Sequence, residues 1–166
     1  MAEIPRPAGT GITVQVRTPS GLAFVIVGGV SIILGGLAAA ATSPLGWEHG
    51  SWAAAYLVLV TGAAQLLLGV GQDHFTGGNV SGRLSVAELV GLNVGSVGVI
   101  AGTLAAQPWI VDVGGLLVLL ALVLMLVAVR GAPSGAAVVV YRLVIVLLVV
   151  SIPIGLVLAY FDAGAP

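Results

Sequence analysis

The chain alternates long apolar runs with short polar breaks. Five runs are long enough to cross a bilayer: roughly 21–41, 52–70, 85–105, 113–129 and 137–160. A hydrocarbon core of about 30 Å takes about 20 helical residues. Backbone amides in lipid must bond within their own segment, so each run is predicted to be a helix. The breaks read SPLGWEHG, QDHFTGGNVSGR, QPWIVD and RGAPSG. Links this short make successive helices antiparallel neighbours. The expected fold is an all-α integral membrane protein, a five-transmembrane-helix bundle with short loops. Residues 1–20 form a polar N-terminal tail, 21–160 the membrane domain and 161–166 a short C-terminal tail.

Composition agrees with the pattern. The chain is 59% hydrophobic and 7% charged, with mean hydropathy +1.21. A water-soluble domain of this length would then expose a largely apolar surface. All five basic residues are arginine, and there is no cysteine. Thiolate chemistry, disulfides, a phosphate-loop lysine and a Schiff-base lysine are thereby excluded. Usage rich in Ala, Gly, Val and Arg points to a high-GC bacterial source, and so to a bacterial plasma membrane.

The arginines set an orientation. Arg6 and Arg17 precede the first run, Arg83 lies in the second break and Arg130 in the fourth. All four fall on one side of a five-span protein, and that side is cytoplasmic by the positive-inside rule. The N-terminus is then inside and the C-terminus outside. Trp47, Trp52, Trp109, Tyr160 and Phe161 collect near the outer boundary, as an aromatic belt does. The first run ends in LAAAATS, which resembles a signal-peptide cleavage site, but its apolar length exceeds a signal core, and it is read as a retained span.

Small residues recur at helical spacing. Gly91, Gly95, Gly98 and Gly102 step by four, three and four along the third run, and Gly28, Ser31, Gly35 and Ala39 do the same in the first. Such seams let helix backbones approach closely where no hydrophobic effect drives association. VGGVSIILGGLAA (27–39) also aligns with VGSVGVIAGTLAA (94–106), which suggests two similar hairpins with a fifth helix added. The fourth run is almost purely aliphatic after its first glycines and is expected to face lipid over most of its circumference.

Three polar residues stand out inside the runs. Glu88 follows the seam face, seven residues before Gly95; Gln65 shares a face with Gly62 and Gly69; Arg142 opens the fifth run. All three are placed within roughly 10 Å of the cytoplasmic boundary at about 1.5 Å per residue. A Glu88–Arg142 pair with Gln65 as hydrogen-bond partner is the candidate site. An intramembrane charge raises a functional hypothesis, against a structural tie or a snorkelling arginine. Asn93 falls off the seam and points to a different helix. Pro153 is expected to bend the fifth helix.

Other chemistry finds little support. His49 and His74 are read as loop residues on opposite sides, which argues against a bis-histidine haem and an intramembrane Ser–His hydrolase. His49 with Glu48, Asp112 and Asp162 is a loosely spaced outer-face set and a weak metal candidate. The Asn79-Val80-Ser81 sequon lies in a cytoplasmic loop and is read as chance. No basic patch supports nucleic-acid binding. ITVQVR (12–17) alternates like a strand, with disorder as the competing reading. The expectation is a non-catalytic accessory or scaffold subunit, without cofactor or metal. Its partners are the lipid bilayer and other membrane subunits or further copies of itself. The alternative is a small oligomeric transporter or channel using Glu88.

Overall fold

The computed structural model describes residues 16–163, and all regular structure among them is helical. The helices are α1 (Pro19–Leu45), α2 (Gly50–Thr76), α3 (Gly82–Leu104), α4 (Pro108–Ala128) and α5 (Ala136–Ala163). All five are long and apolar enough to cross a membrane. Most of the ITVQVR segment lies outside the described residues, as does Arg6.

Local chemistry explains where the helices begin and end. Thr18 caps α1, its Oγ1 accepting from the Gly21 amide at 3.0 Å, and Pro19 follows with no amide to waste. α1 ends on Gly46 at φ 59°, with the Gly46 and Trp47 amides bonded to the Ser43 and Thr42 carbonyls. This is the left-handed cap that glycine adopts without penalty. Ser81 caps α3 through the Leu84 amide.

α2 departs from the hydropathy reading. Hydropathy falls at Gly71-Gln72-Asp73, which placed the helix end near 70, yet α2 continues to Thr76 and closes on Gly77 at φ 62°. His74 is therefore helical, not a loop residue. The extra turns persist because Gln72 and Asp73 are both buried against neighbouring helices. α2 also widens into a π-helical stretch over Leu57–Ala64.

The bundle is two close-packed hairpins, α1–α2 and α3–α4, with α5 laid on α4. Glycines set both hairpin contacts. A Cβ at Gly28 would fall 3.0 Å from the Gly62 carbonyl oxygen, and one at Gly35 would fall 3.0 Å from that of Ala54. In the second hairpin, a Cβ at Gly95 would meet the Gly114 carbonyl oxygen at 2.7 Å, and one at Gly102 would meet the Val111 nitrogen at 2.7 Å. Gly91 and Gly98 likewise face Ala121 and Gly114.

α4 buries about a third of its span and leaves the rest outward. The buried face supplies Val118, Ala121, Leu122 and Met125 to the core, where they meet Phe24, Leu68, Leu92 and Ile145. Its uniform aliphatic composition gave no face to read. The burying face is chosen by the glycines of α3 on one side and by α5 on the other.

One end of the bundle gathers the start of α1, the end of α2 and the start of α3, joined through Thr18–Asp73 and Gln72–Glu88, and the end of α4 with the start of α5, joined through Arg142. Arg17, Arg83 and Arg130 lie exposed at this end.

Candidate functional site

Polar side chains concentrate where the two hairpins meet. On α2, Thr61, Gln65 and Gln72 are spaced by four and seven residues and so share one face. On α3, Ser85, Glu88 and Ser96 are buried, and Asn93 is half-buried beside them. At about 100° per residue, Glu88 sits at the edge of the glycine seam, between the face that meets α4 and the face that meets α2. Its side chain turns to α2.

Glu88 is 0% exposed, and both carboxyl oxygens accept from the Gln72 side-chain amide, at 3.0 and 2.9 Å. About two turns deeper, Asn93 Nδ2 donates to Gln65 Oε1 at 2.8 Å and to its own-helix Leu89 carbonyl at 2.7 Å. Deeper again, the Tyr56 phenol meets the Ser96 hydroxyl. Together these contacts form a polar seam joining α2 to α3. Tyr141 of α5 adds a fourth tie by donating to the Leu68 carbonyl at 2.9 Å.

The three residues singled out from sequence are not joined into one cluster. Arg142 donates to the carbonyls of Val129 at 2.6 Å and Arg130 at 3.1 Å, closing the C-terminus of α4. Among the described residues it makes no ion pair with Glu88. Gln65 is 1% exposed but lies eleven residues from the end of α2, about 16 Å at 1.5 Å per residue, so it is mid-span rather than near the boundary. Its misplacement follows from the hidden extension of α2. Asn93 does meet a different helix from the seam, namely α2. Among the described residues, no three His, Asp or Glu side chains converge as a metal site.

Sequence reasoning passed over Gln72 and Asp73, which were assigned to a loop. The seven-residue step from Gln65 to Gln72 was the available signal. Asp73 is 5% exposed and ties two hairpin elements together: Oδ2 accepts from the Arg17 amide and Oδ1 from the Thr18 hydroxyl, each at 2.6 Å. A carboxylate at a helix N-terminus is favoured by the dipole.

Three buried polar atoms in the seam have no hydrogen-bond partner among the described residues: Thr61 Oγ1, Gln65 Nε2 and Gln72 Oε1. All three belong to the polar face of α2. Next to Gln72 lies a cavity of about 10 Å³, also lined by Thr18, Ser20, Asp73 and Ser85. Comparison of the chain with protein-family models, with characterised proteins and with solved structures finds no match.

Proposed function

We propose that the chain is a non-catalytic multi-pass subunit of a bacterial plasma membrane, packing as an accessory or scaffold element against other membrane proteins or copies of itself. The observation that carries this reading is the Glu88–Gln72 tie. A charge-bearing side chain inside a span is a functional candidate by default, but this one is fully buried and both its oxygens are held by one amide. Such a group fixes the relation of two helices. The arginine-bearing end would face the cytoplasm. The outward faces of α1 and α5, with Ile26, Ile33, Leu37, Leu143 and Leu147 exposed, supply surface for lipid and for partner helices.

A second reading has its own support. The unpartnered Thr61 Oγ1, Gln65 Nε2 and Gln72 Oε1 lie along one face of α2, as the lining of a solute path would. On this reading the chain is a small oligomeric transporter using Glu88. Purification in mild detergent, followed by mass spectrometry and reconstitution in liposomes, separates the two. A partner retained at fixed stoichiometry, with no solute flux from the reconstituted chain, supports the subunit. Flux that Glu88→Gln abolishes while the fold survives overturns it.

A further inference from the structure

The Glu88–Gln72 contact has too few hydrogens for its oxygens. An ionised carboxyl only accepts, and it offers about four lone-pair positions. Among the described residues a single donor reaches Glu88: Gln72 Nε2, shared between the two carboxyl oxygens. The oxygen of the same amide, Gln72 Oε1, is buried with no donor at all. Three buried acceptor oxygens are thus served by one nitrogen, and a buried acceptor without a donor is costly.

No neighbouring charge compensates an ionised Glu88. At the start of α1, Arg17 is exposed and meets the bundle through its backbone amide, which Asp73 accepts. On α2, Asp73 is turned to the start of α1 and His74 is exposed. Arg83, earlier on α3, is exposed. The acid of α4, Asp112, stands near its opposite end. On α5, Arg142 is committed to the α4 carbonyls. Tyr141 lies within electrostatic reach of Glu88 but donates its hydroxyl to the Leu68 carbonyl.

A proton corrects the count. In a carboxylic acid one oxygen donates and the other accepts. A primary amide carries the complementary pair, a carbonyl beside an N–H. Nε2 already lies 3.0 and 2.9 Å from the two carboxyl oxygens. A turn about the terminal amide torsion, which is broad and soft, brings Oε1 to the acid hydroxyl and keeps Nε2 on the other oxygen. Two bonds then replace one shared donor, Oε1 gains its partner, and the buried charge is gone.

We propose that Glu88 is a proton-binding site, held as the neutral acid in a closed acid–amide pair with Gln72, and that this proton locks the α2–α3 seam. Its release to water leaves a carboxylate and an unpartnered carbonyl, and loosens the contact between the hairpins. The site holds for a subunit or a transporter alike, so its failure leaves both readings standing.

Infrared spectroscopy of the full chain in detergent tests it. At neutral pH the parent should show the carbonyl stretch of a protonated carboxylic acid, which shifts in heavy water and is missing from Glu88→Gln. Gln72→Leu should move this band to higher frequency by removing its hydrogen bonds, which assigns the band even where Glu88→Gln fails to fold. Melting gives a second readout. Glu88→Gln still offers Gln72 a donor and an acceptor but does not titrate. An unfolded glutamate loses its proton near about pH 4.3. A proton that the fold retains above that point stabilises fully below it, and this stability is lost as pH rises. The parent's melting temperature should therefore fall relative to that of Glu88→Gln, by up to about 3–5 °C per pH unit, until the folded chain releases the proton. An absent acid band at neutral pH, or parallel melting temperatures across that range, makes Glu88 a carboxylate and overturns the proposal. A band unmoved in Gln72→Leu overturns the pairing with Gln72.

Discussion

Gln72 and Glu88 are joined twice, one side-chain amide nitrogen lying 3.0 Å from one carboxyl oxygen and 2.9 Å from the other. The amide comes from α2 and the carboxyl from α3, so this contact crosses from one hairpin to the other. Glycine packing holds each hairpin together internally, whereas the polar seam sets how the hairpins register.

Removing Gln72 should therefore cost more than removing both partners. Gln72→Leu strands a fully buried carboxyl, a penalty of about 1–3 kcal/mol. Glu88→Leu with Gln72→Leu leaves two apolar groups in contact. A double-mutant cycle, read by unfolding in bicelles, should return a coupling of at least about 0.6 kcal/mol, the mean for interhelical bonds in membranes. Additive single effects would show that the two side chains do not stabilise one another.

The deeper tie makes an asymmetric prediction. Asn93→Leu leaves Gln65 with neither side-chain atom partnered, since Nε2 has none already. Gln65→Leu removes that burden, while Asn93 keeps its bond to the Leu89 carbonyl. Asn93→Leu should lower stability by about 1 kcal/mol more than Gln65→Leu. The same unfolding assay checks it, and an equal or reversed order would mean that Gln65 is hydrogen-bonded elsewhere.

These polar ties were the least legible part of the chain, and the reason is physical. The five helices follow from apolar length alone, because lipid forces every backbone group to bond locally. The glycine positions follow from helical spacing. Gln72 and Asp73 were lost because their polarity, averaged over a window, imitates a loop. The pattern of neighbours in space keeps them helical: Asp73 against the start of α1, and Gln72 against Glu88. Arg142 and Glu88 looked like partners because opposite charges at one end of a bundle invite pairing. The α4 carbonyls lay nearer to Arg142, and no sequence rule weighs that competition. In α4 it was the identity of the buried face that could not be read, since an all-aliphatic helix carries no pattern from which such a face can be chosen.

Glycines that bury and glycines that do not should respond in opposite ways. A Cβ at Gly95 would fall 2.7 Å from the Gly114 carbonyl oxygen, an approach that only a backbone shift relieves. Gly95→Ala should destabilise by about 1–3 kcal/mol. Gly36→Ala meets open space and should be neutral or stabilising, because alanine is the better helix former. Melting temperatures of the two variants in one detergent test the pair, and equal effects would mean that the α3–α4 contact yields easily.

The turn between α3 and α4 holds a correctable strain. Ala106 adopts φ 51°, whereas the corresponding turn after α1 uses Gly46 at φ 59°. A side chain in the left-handed region costs roughly 1–2 kcal/mol. Ala106 is exposed, so Ala106→Gly removes the clash without opening a cavity. A gain of about 1 kcal/mol is expected in chemical unfolding, and a loss would indicate that the Ala106 methyl packs in the folded membrane state.

Arg142 provides a test of what the candidate site contains. Its guanidinium bonds to the Val129 and Arg130 carbonyls, so its role is to close α4 and hold α5 against it. A cation at a helix C-terminus contributes about 0.3–1 kcal/mol. Arg142→Leu should lower stability by that order, and Arg142→Lys by less, since a lysine keeps the charge while losing the fork. The effect should be the same in the presence and absence of Glu88→Gln, because no bond connects the two side chains among the described residues. Four melting temperatures, for the parent chain, each single variant and the double, decide the matter. A coupling above about 0.5 kcal/mol would show that Arg142 and Glu88 share a network, whereas additivity leaves Glu88 to α2 and Arg142 to the end of α4.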